Sequence, residues 1–189
     1  MLADAFWNLV ALILSMCPPL TNLLLAYAKR RPYFHLPGYM ERWWLVGGSE
    51  RDGRAVEKRG WQGGALDRML GRFFVARFHL ILRPDQDRHP HDHPWAFRSL
   101  IIRGAYTEAH HPTVDGKPSE QPIYRTHFSG SSYRVERGTF HRITAVTGPA
   151  LTLCILGRPT RRGDGEDDWG FLVDGERIGF KEYLGLEEK

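Results

Sequence analysis

Cysteine is scarce in this chain: two residues of 189, Cys17 and Cys154, far apart, in apolar surroundings and without CxxC spacing. That argues against a Cys17–Cys154 disulfide and reads as reduced, buried thiols in a cytoplasmic setting. Also missing are internal repeats, low-complexity tracts, a Gly-rich phosphate loop, a dinucleotide fingerprint and an obvious nucleophile pair, so nucleotide cofactors are not indicated. No block of Lys and Arg interleaves with exposed aromatics, and nucleic acid is not an indicated partner, although the formal charge of +4 favours contact with anions. What is present is an ordinary globular composition, 42% hydrophobic and 25% charged, at a length that fits one folded unit with an appendage.

Charge is absent from residues 5–28, a run long enough on paper to cross a bilayer. Pro18-Pro19 breaks it into helices near 2–16 and 20–29, because proline removes backbone donors and its ring clashes with the preceding turn. Neither piece spans a membrane. The start MLAD lacks a positive region and no small-residue cleavage site precedes KRRP, so a secretory signal is not expected. The segment reads as a helical hairpin packed on the remaining fold or on a second subunit, with membrane contact through residues 1–31 as the alternative. Lys29, Arg30 and Arg31 suit either lipid headgroups or a helix C-terminus.

After Pro32 comes an aromatic-rich extended piece at 39–46 and a polar, Gly-rich loop at 47–64. Short β-type runs follow at 73–82, 97–106, 123–128, 132–135, 141–146 and 151–156. They are separated by turn-formers such as Arg83-Pro84-Asp85, Asp115-Gly116-Lys117, Ser129-Gly130 and Thr147-Gly148-Pro149. Strands at this spacing imply a sandwich or barrel. The tail after Arg158 is polar and then carries Trp169, Phe171, Phe180 and Tyr183, enough aromatic surface to strap one end. The organisation expected is a helical segment at 1–31, an aromatic arm and loop at 32–72, and a β unit with its strap at 73–189.

The most informative stretch is His89-Pro90-His91-Asp92-His93-Pro94-Trp95. Alternation along an extended chain puts His91 and His93 on one face, where two imidazoles bind one metal ion if a neighbouring strand supplies a third ligand. Gly138-Thr139-Phe140-His141 offers it: a histidine after a glycine turn, at the head of an apolar run. HDHPWAFRSLIIRGAYTE resembles the first cupin motif, a His-x-His pair followed by glycine after a hydrophobic strand, and GTFH resembles the second. The resemblance covers residues 73–157. More narrowly, YMERWW, RFHLILRPDQDRHPHDHPW and the late Arg-Arg…Trp-Gly-Phe pattern resemble uncharacterised small cupin-like proteins of bacteria and phages. What the resemblance implies is a mainly β, cupin-type jelly-roll barrel, here with an N-terminal helical hairpin, holding a divalent metal on His91, His93 and His141.

Two departures from the cupin pattern matter. Phe97 stands seven residues before Gly104, where the first motif usually has a glutamate ligand, and Glu136 stands where proline is common. Three histidines without a carboxylate resemble the thiol dioxygenase branch, which implies iron(II) with open positions for substrate and dioxygen; zinc, manganese and nickel remain alternatives. Glu108 is an alternative fourth ligand if the outgoing chain folds back.

The remaining candidates carry weaker signals. His79 lines the cavity or packs in its strand, and Asp92 holds a nearby loop or ring N–H. Trp95 and Phe97 supply apolar wall. His89, His110 and His111 read as solvent-facing. Arg42, among Tyr39, Trp43 and Trp44, and Arg158, with Arg161 and Arg162, are candidate anion-binding groups.

The function expected is a mononuclear metal enzyme, iron-dependent and dioxygenase-like, acting on a small polar molecule and assembling as a homo-oligomer. A metal-dependent sugar isomerase or lyase and a non-catalytic ligand-binding or assembly module are the alternatives.

Overall fold

The computed structural model of the chain describes residues 2–33, 35–47, 69–71, 73–85, 89–157 and 169–186. Two helices, α1 (Leu2–Met16) and α2 (Pro18–Lys29), precede strands β1 (Met40–Val46) and β2 (Val75–Ile81). Next come β3 (Phe97–His111), the small hairpin β4 (Thr113–Val114) and β5 (Lys117–Pro118), then β6 (Ile123–Phe128) and β7 (Ser132–Val135). The chain continues through β8 (Phe140–Leu156), a second hairpin of β9 (Gly170–Val173) and β10 (Glu176–Gly179), and a single helical turn, α3 (Phe180–Tyr183).

Every strand pairing is antiparallel, and the two long strands organise the rest. The first half of β3 pairs with the second half of β8, in a wall ordered β1-β2-β8-β3-β7. The second half of β3 pairs with the first half of β8 and with β6, in another wall. An isolated pairing of His91 with both His141 and Phe171 extends that wall to the β9–β10 hairpin. Both long strands therefore serve both walls of a jelly-roll sandwich.

The corner between the walls is a pair of bulged glycines. Register slips between Ile101, Arg103 and Ala105, opposite Gly148, and both Gly104 (φ +74°) and Gly148 (φ +65°) take the left-handed conformation. A Cβ on Gly104 would lie 2.8 Å from the Pro149 carbonyl oxygen, so the close backbone approach itself requires glycine. Thr147-Gly148-Pro149, expected as a turn between two strands, thus lies inside the single strand β8. β3 likewise runs past residue 106 to His111, because Glu108 and His111 are buried polar groups that interrupt the apolar pattern without ending the strand.

The outer face of the first wall is covered by the helical hairpin. Alternation along β2 turns Ala76 and Phe78 outward, where with Leu100, Ile102, Leu151 and Leu153 they meet Ala11, Leu14 and Ala28. α2 starts at Pro18 rather than at residue 20, since proline is accommodated in a first helical turn whose N–H groups lack partners anyway. The two helices bend by 94° about Cys17, and buried Thr21 donates from Oγ1 to the Leu14 carbonyl at 2.6 Å to hold the corner. Polar pins fix the hairpin to the sheet: Asn8 Oδ1 accepts from Ser132 N and Oγ at 2.9 Å each, and Arg98 pairs with Asp4 at 2.6 Å. No single described helix is long and apolar enough to cross a membrane. Phe6, Leu9, Ile13, Met16 and Leu23 remain exposed on the hairpin.

The space between the walls holds two apolar clusters. Tyr39, Ile81, Ile101, Tyr106, Ile143 and Ala150 fill one end. Trp44, Phe97, Val135, Cys154 and Leu156, with Tyr33 and Trp95 against them, fill the other, and the histidine cluster borders this second group.

Candidate metal centre

Backbone pairing positions the first histidine. His91 and His141 exchange both of their N–H···O bonds at 3.0 Å, while Asp92 N–H donates to Gly170 O at 3.0 Å and Leu172 N–H to Pro90 O at 2.8 Å. Residues 90–92 are thereby wedged as a short strand between β8 and β9. Pro90 at the start of this segment and Pro94 just beyond it cannot donate, which limits further pairing on either side. The turn before β8 uses Gly138 at φ +75°, whose N–H donates to His93 O at 3.3 Å, so the two halves of the site hold each other.

These constraints bring three imidazoles together. Each of His91, His93 and His141 offers a ring nitrogen, and all three nitrogens lie within 4.8 Å of one another. The ring centroids are 5.0 to 5.1 Å apart, and His93 Nε2 is 3.0 Å from His141 Nε2. Two metal–nitrogen bonds of about 2.1 Å meeting near a right angle put their nitrogens about 3.0 Å apart, so this pair fits a shared ion. Holding all three draws the most distant nitrogen inward. The chemistry of the donor set, neutral nitrogen without thiolate, suits iron, zinc, manganese or nickel alike.

Aromatic rings wall the cluster. Trp95 stacks on His93 at 6.2 Å between centroids, Phe97 meets His93 edge-on at 5.1 Å and lies 5.7 Å from His141, and Phe171 and Trp169 stand 6.1 and 6.4 Å from His91. The tail forms the expected strap: Phe171 stacks on Tyr183 at 3.8 Å and Trp169 on Phe180 at 4.9 Å. Burial, with the neighbouring His91 and His141 adding to it, holds His93 well below the usual imidazole range, so its ring is neutral at pH 7.

Carboxylates stand behind the histidines. Fully buried Asp92 accepts from Gly170 N–H at 2.6 Å and faces Arg177 Nε at 3.6 Å, which ties the His-x-His segment to the C-terminal hairpin. Glu108, 1% exposed, brings Oε2 within 3.5 Å of His141 Nδ1, the nitrogen on the far side of the ring from His93. Glu108 is therefore placed to orient His141 rather than to join the three nitrogens, the relation by which a carboxylate fixes a ligand's tautomer. Burial opposes charge on both partners, yet their mutual attraction wins: Glu108 is held well below the usual carboxylate range and His141 is raised. His110 and His127 add contacts to Glu108 at 3.7 and 3.8 Å.

Other sequence-predicted groups lie nearby or elsewhere. His89 is exposed, with Nδ1 2.9 Å from Tyr183 Oη. His111, expected at the surface, is buried, and its Nδ1 donates to Ser119 O at 2.8 Å; His110 is half-buried beside Glu108. Both corrections follow from the greater length of β3. His127 lies flat against Tyr133 at 3.6 Å. His79, on β2, faces the interior opposite Arg42 and Thr152, and Arg42 lies over Tyr33 at 4.5 Å. Arg158, Arg161, Arg162 and nearly all of the 47–64 loop lie outside the described residues.

Sequence reading missed two features. Arg77 lies inside the sandwich on β2, and nothing in the mostly apolar run VARFHLI that carries it marks a role for its charge. The β9–β10 hairpin that holds His91 was signalled by Asp174-Gly175, whose φ values of +49° and +82° suit a tight two-residue turn.

Compared with known sequence families and with curated proteins, the chain matches none. Among solved structures it is similar to an oxalate decarboxylase–formate complex from Lactobacillus farciminis, at 11% identity and a TM-score of 0.49, covering 84% of this chain and 36% of that one. It is also similar to Fe(II)-HppE with the alternative substrate (S)-1-HPP, at 17% identity and 0.41, covering 63% and 50%, and to KdgF from Halomonas sp., at 14% and 0.42, covering 72% and 93%. The chain thus spans about a third of the oxalate decarboxylase. None of the three overlaps reaches half on the TM scale, so the weight rests on this chain's own strands and histidines. By its bent, shared strands and its inward His-x-His and Gly-x-x-His segments, the fold is a jelly roll of the cupin type.

Proposed function

We propose that the chain is a metal-binding cupin in which His91, His93 and His141 hold one divalent ion, iron(II) foremost, for oxidation of a small polar molecule by dioxygen. The single observation that carries this reading is the convergence of three ring nitrogens within 4.8 Å, joined by no carboxylate among the described residues. His91, His93 and His141 would hold such an ion by three nitrogens, and the chemistry it would supply is activation of dioxygen toward a bound substrate. The chain's own residues do the rest: Phe97, Trp95 and Phe171 exclude water, Glu108 fixes the His141 ring, and Asp92 fixes the segment that carries His91 and His93. Buried Cys154, a free thiol that burial pushes up to about 11, accords with a cytoplasmic setting.

The test is metal content after purification without added metal, in the wild type and in His93→Ala. Iron that disappears in the variant, with a new absorption spectrum when nitric oxide is added anaerobically to the wild type, supports the reading. Absence of any metal from a wild type that is also indifferent to added metal overturns it. Zinc held without a nitric oxide response favours the isomerase or lyase alternative.

The exposed Phe6, Leu9, Ile13, Met16 and Leu23 support self-association through the hairpin, with a second copy of the chain as the partner. Sedimentation with and without lipid vesicles separates this from membrane attachment.

A further inference from the structure

Burying a cation without a counter-charge is costly, and such groups persist where something else supplies the charge. Arg77 is 5% exposed, inside the sandwich. Among the described residues no carboxylate, carbonyl or hydroxyl accepts a hydrogen bond from it, and its Nε is fully enclosed without a partner. Its guanidinium carbon lies 5.1 Å from the ring centre of Tyr33, 5.6 Å from that of Trp44 and 5.8 Å from that of Trp95. Rings of this kind stabilise the cation but leave its N–H groups unsatisfied.

Two further polar atoms of the same interior share that condition. His79 follows Arg77 by two residues on the same face of β2, and its Nε2 is buried without a partner. Burial, reinforced by Arg77 and Arg42, holds this imidazole well below its usual range and so neutral, able to donate one proton. Trp95 Nε1–H, a donor only, is buried and unpaired as well. Trp95 both neighbours Arg77 and stacks on His93, which places these two groups beside the histidine cluster, with His79 two residues along the same face of β2.

We propose that Arg77, with His79 and Trp95, forms an anion subsite inside the sandwich that takes the carboxylate of the small molecule bound at the histidines. A planar guanidinium presents paired N–H groups that match two carboxylate oxygens. The anion subsite stands on Arg77, His79 and Trp95 alone; that its ligand is the substrate rests on the metal-centre reading.

The test uses the full chain, stripped of metal by a chelator, with acetate, benzoate and inorganic phosphate as probes in calorimetric titration and thermal unfolding. The wild type binds a carboxylate and is stabilised by it, Arg77→Met binds at least about tenfold more weakly, and Arg77→Lys falls between because it keeps charge without the fork. Arg77→Met also unfolds at or above the wild-type midpoint, since it removes an unmatched buried charge. Metal content is unchanged in both variants. Equal carboxylate binding by wild type and both variants, a preference for phosphate over both carboxylates, or no binding by the wild type overturns the proposal. Carboxylate binding in a protein that takes up no metal would sink the metal reading and leave the anion subsite standing.

Discussion

The two faces of β2 are built from one seven-residue strand and have opposite character. Outward, Ala76 and Phe78 meet Ala11, Leu14 and Ala28 in a dry apolar layer. Inward, Arg77 sits among aromatic rings, and it and His79 each leave a buried nitrogen unpaired. Stability is concentrated where every group is matched, and chemistry where matches are missing. A sheet that separates the two can change on one side with limited damage to the other.

The largest effect expected comes from the inward side. His93→Ala lowers metal affinity on the order of a thousandfold, because one of three ligands disappears, while unfolding free energy changes by less than about 1 kcal/mol; equilibrium dialysis beside denaturant unfolding checks both. The outward counterpart is Phe78→Ala, a fully buried ring in the helix-facing layer. It costs about 3–5 kcal/mol in denaturant unfolding and leaves the affinity of the folded fraction unchanged. Were it to abolish metal binding in folded protein, the separation of faces would fail.

Gly104→Ala breaks the comparison deliberately, since the corner serves both walls. Its positive φ and the 2.8 Å approach to Pro149 O make the variant lose about 1–3 kcal/mol, with metal affinity falling alongside stability.

Glu108→Gln is smaller, about ten- to a hundredfold in metal affinity. The pH dependence gives its signature. Burial opposes charge on His141 but Glu108 outweighs it and raises the imidazole, so its proton competes with metal and wild-type affinity goes on rising with pH beyond the usual imidazole range. In the variant the imidazole loses its proton at lower pH, and the affinity curve levels off earlier. Least of all, Ile13→Ser with Leu23→Ser shifts unfolding free energy by about 0.5 kcal/mol per site while reducing self-association in sedimentation.

Legibility in the sequence followed the same division. The histidines could be read because alternation and a glycine turn are local patterns, and so could the extended runs at 123–128 and 132–135, which coincide with β6 and β7. The corner could not: Thr147-Gly148-Pro149 has turn chemistry whether it reverses the chain or bends a continuous strand, and only pairing across to β3 decides. Arg77 was illegible for a related reason. A charged residue is ordinarily on the surface, and the burial of this one depends on three aromatic residues from other segments of the chain. Glu108 was noticed, but which ring nitrogen it would face depends on the slip in register between Thr107 and Glu108.

The tie between Asp92 and Gly170 also orders events during synthesis. Strands β2, β3 and β8 can pair once residue 156 has left the ribosome, but the segment bearing His91 gains its second neighbour only when residues 170–172 emerge. Aiming of the imidazoles thus needs residues 170–172 as well as β8, and a nascent chain short of that hairpin can pair His91 with His141 but lacks the second neighbour of the segment.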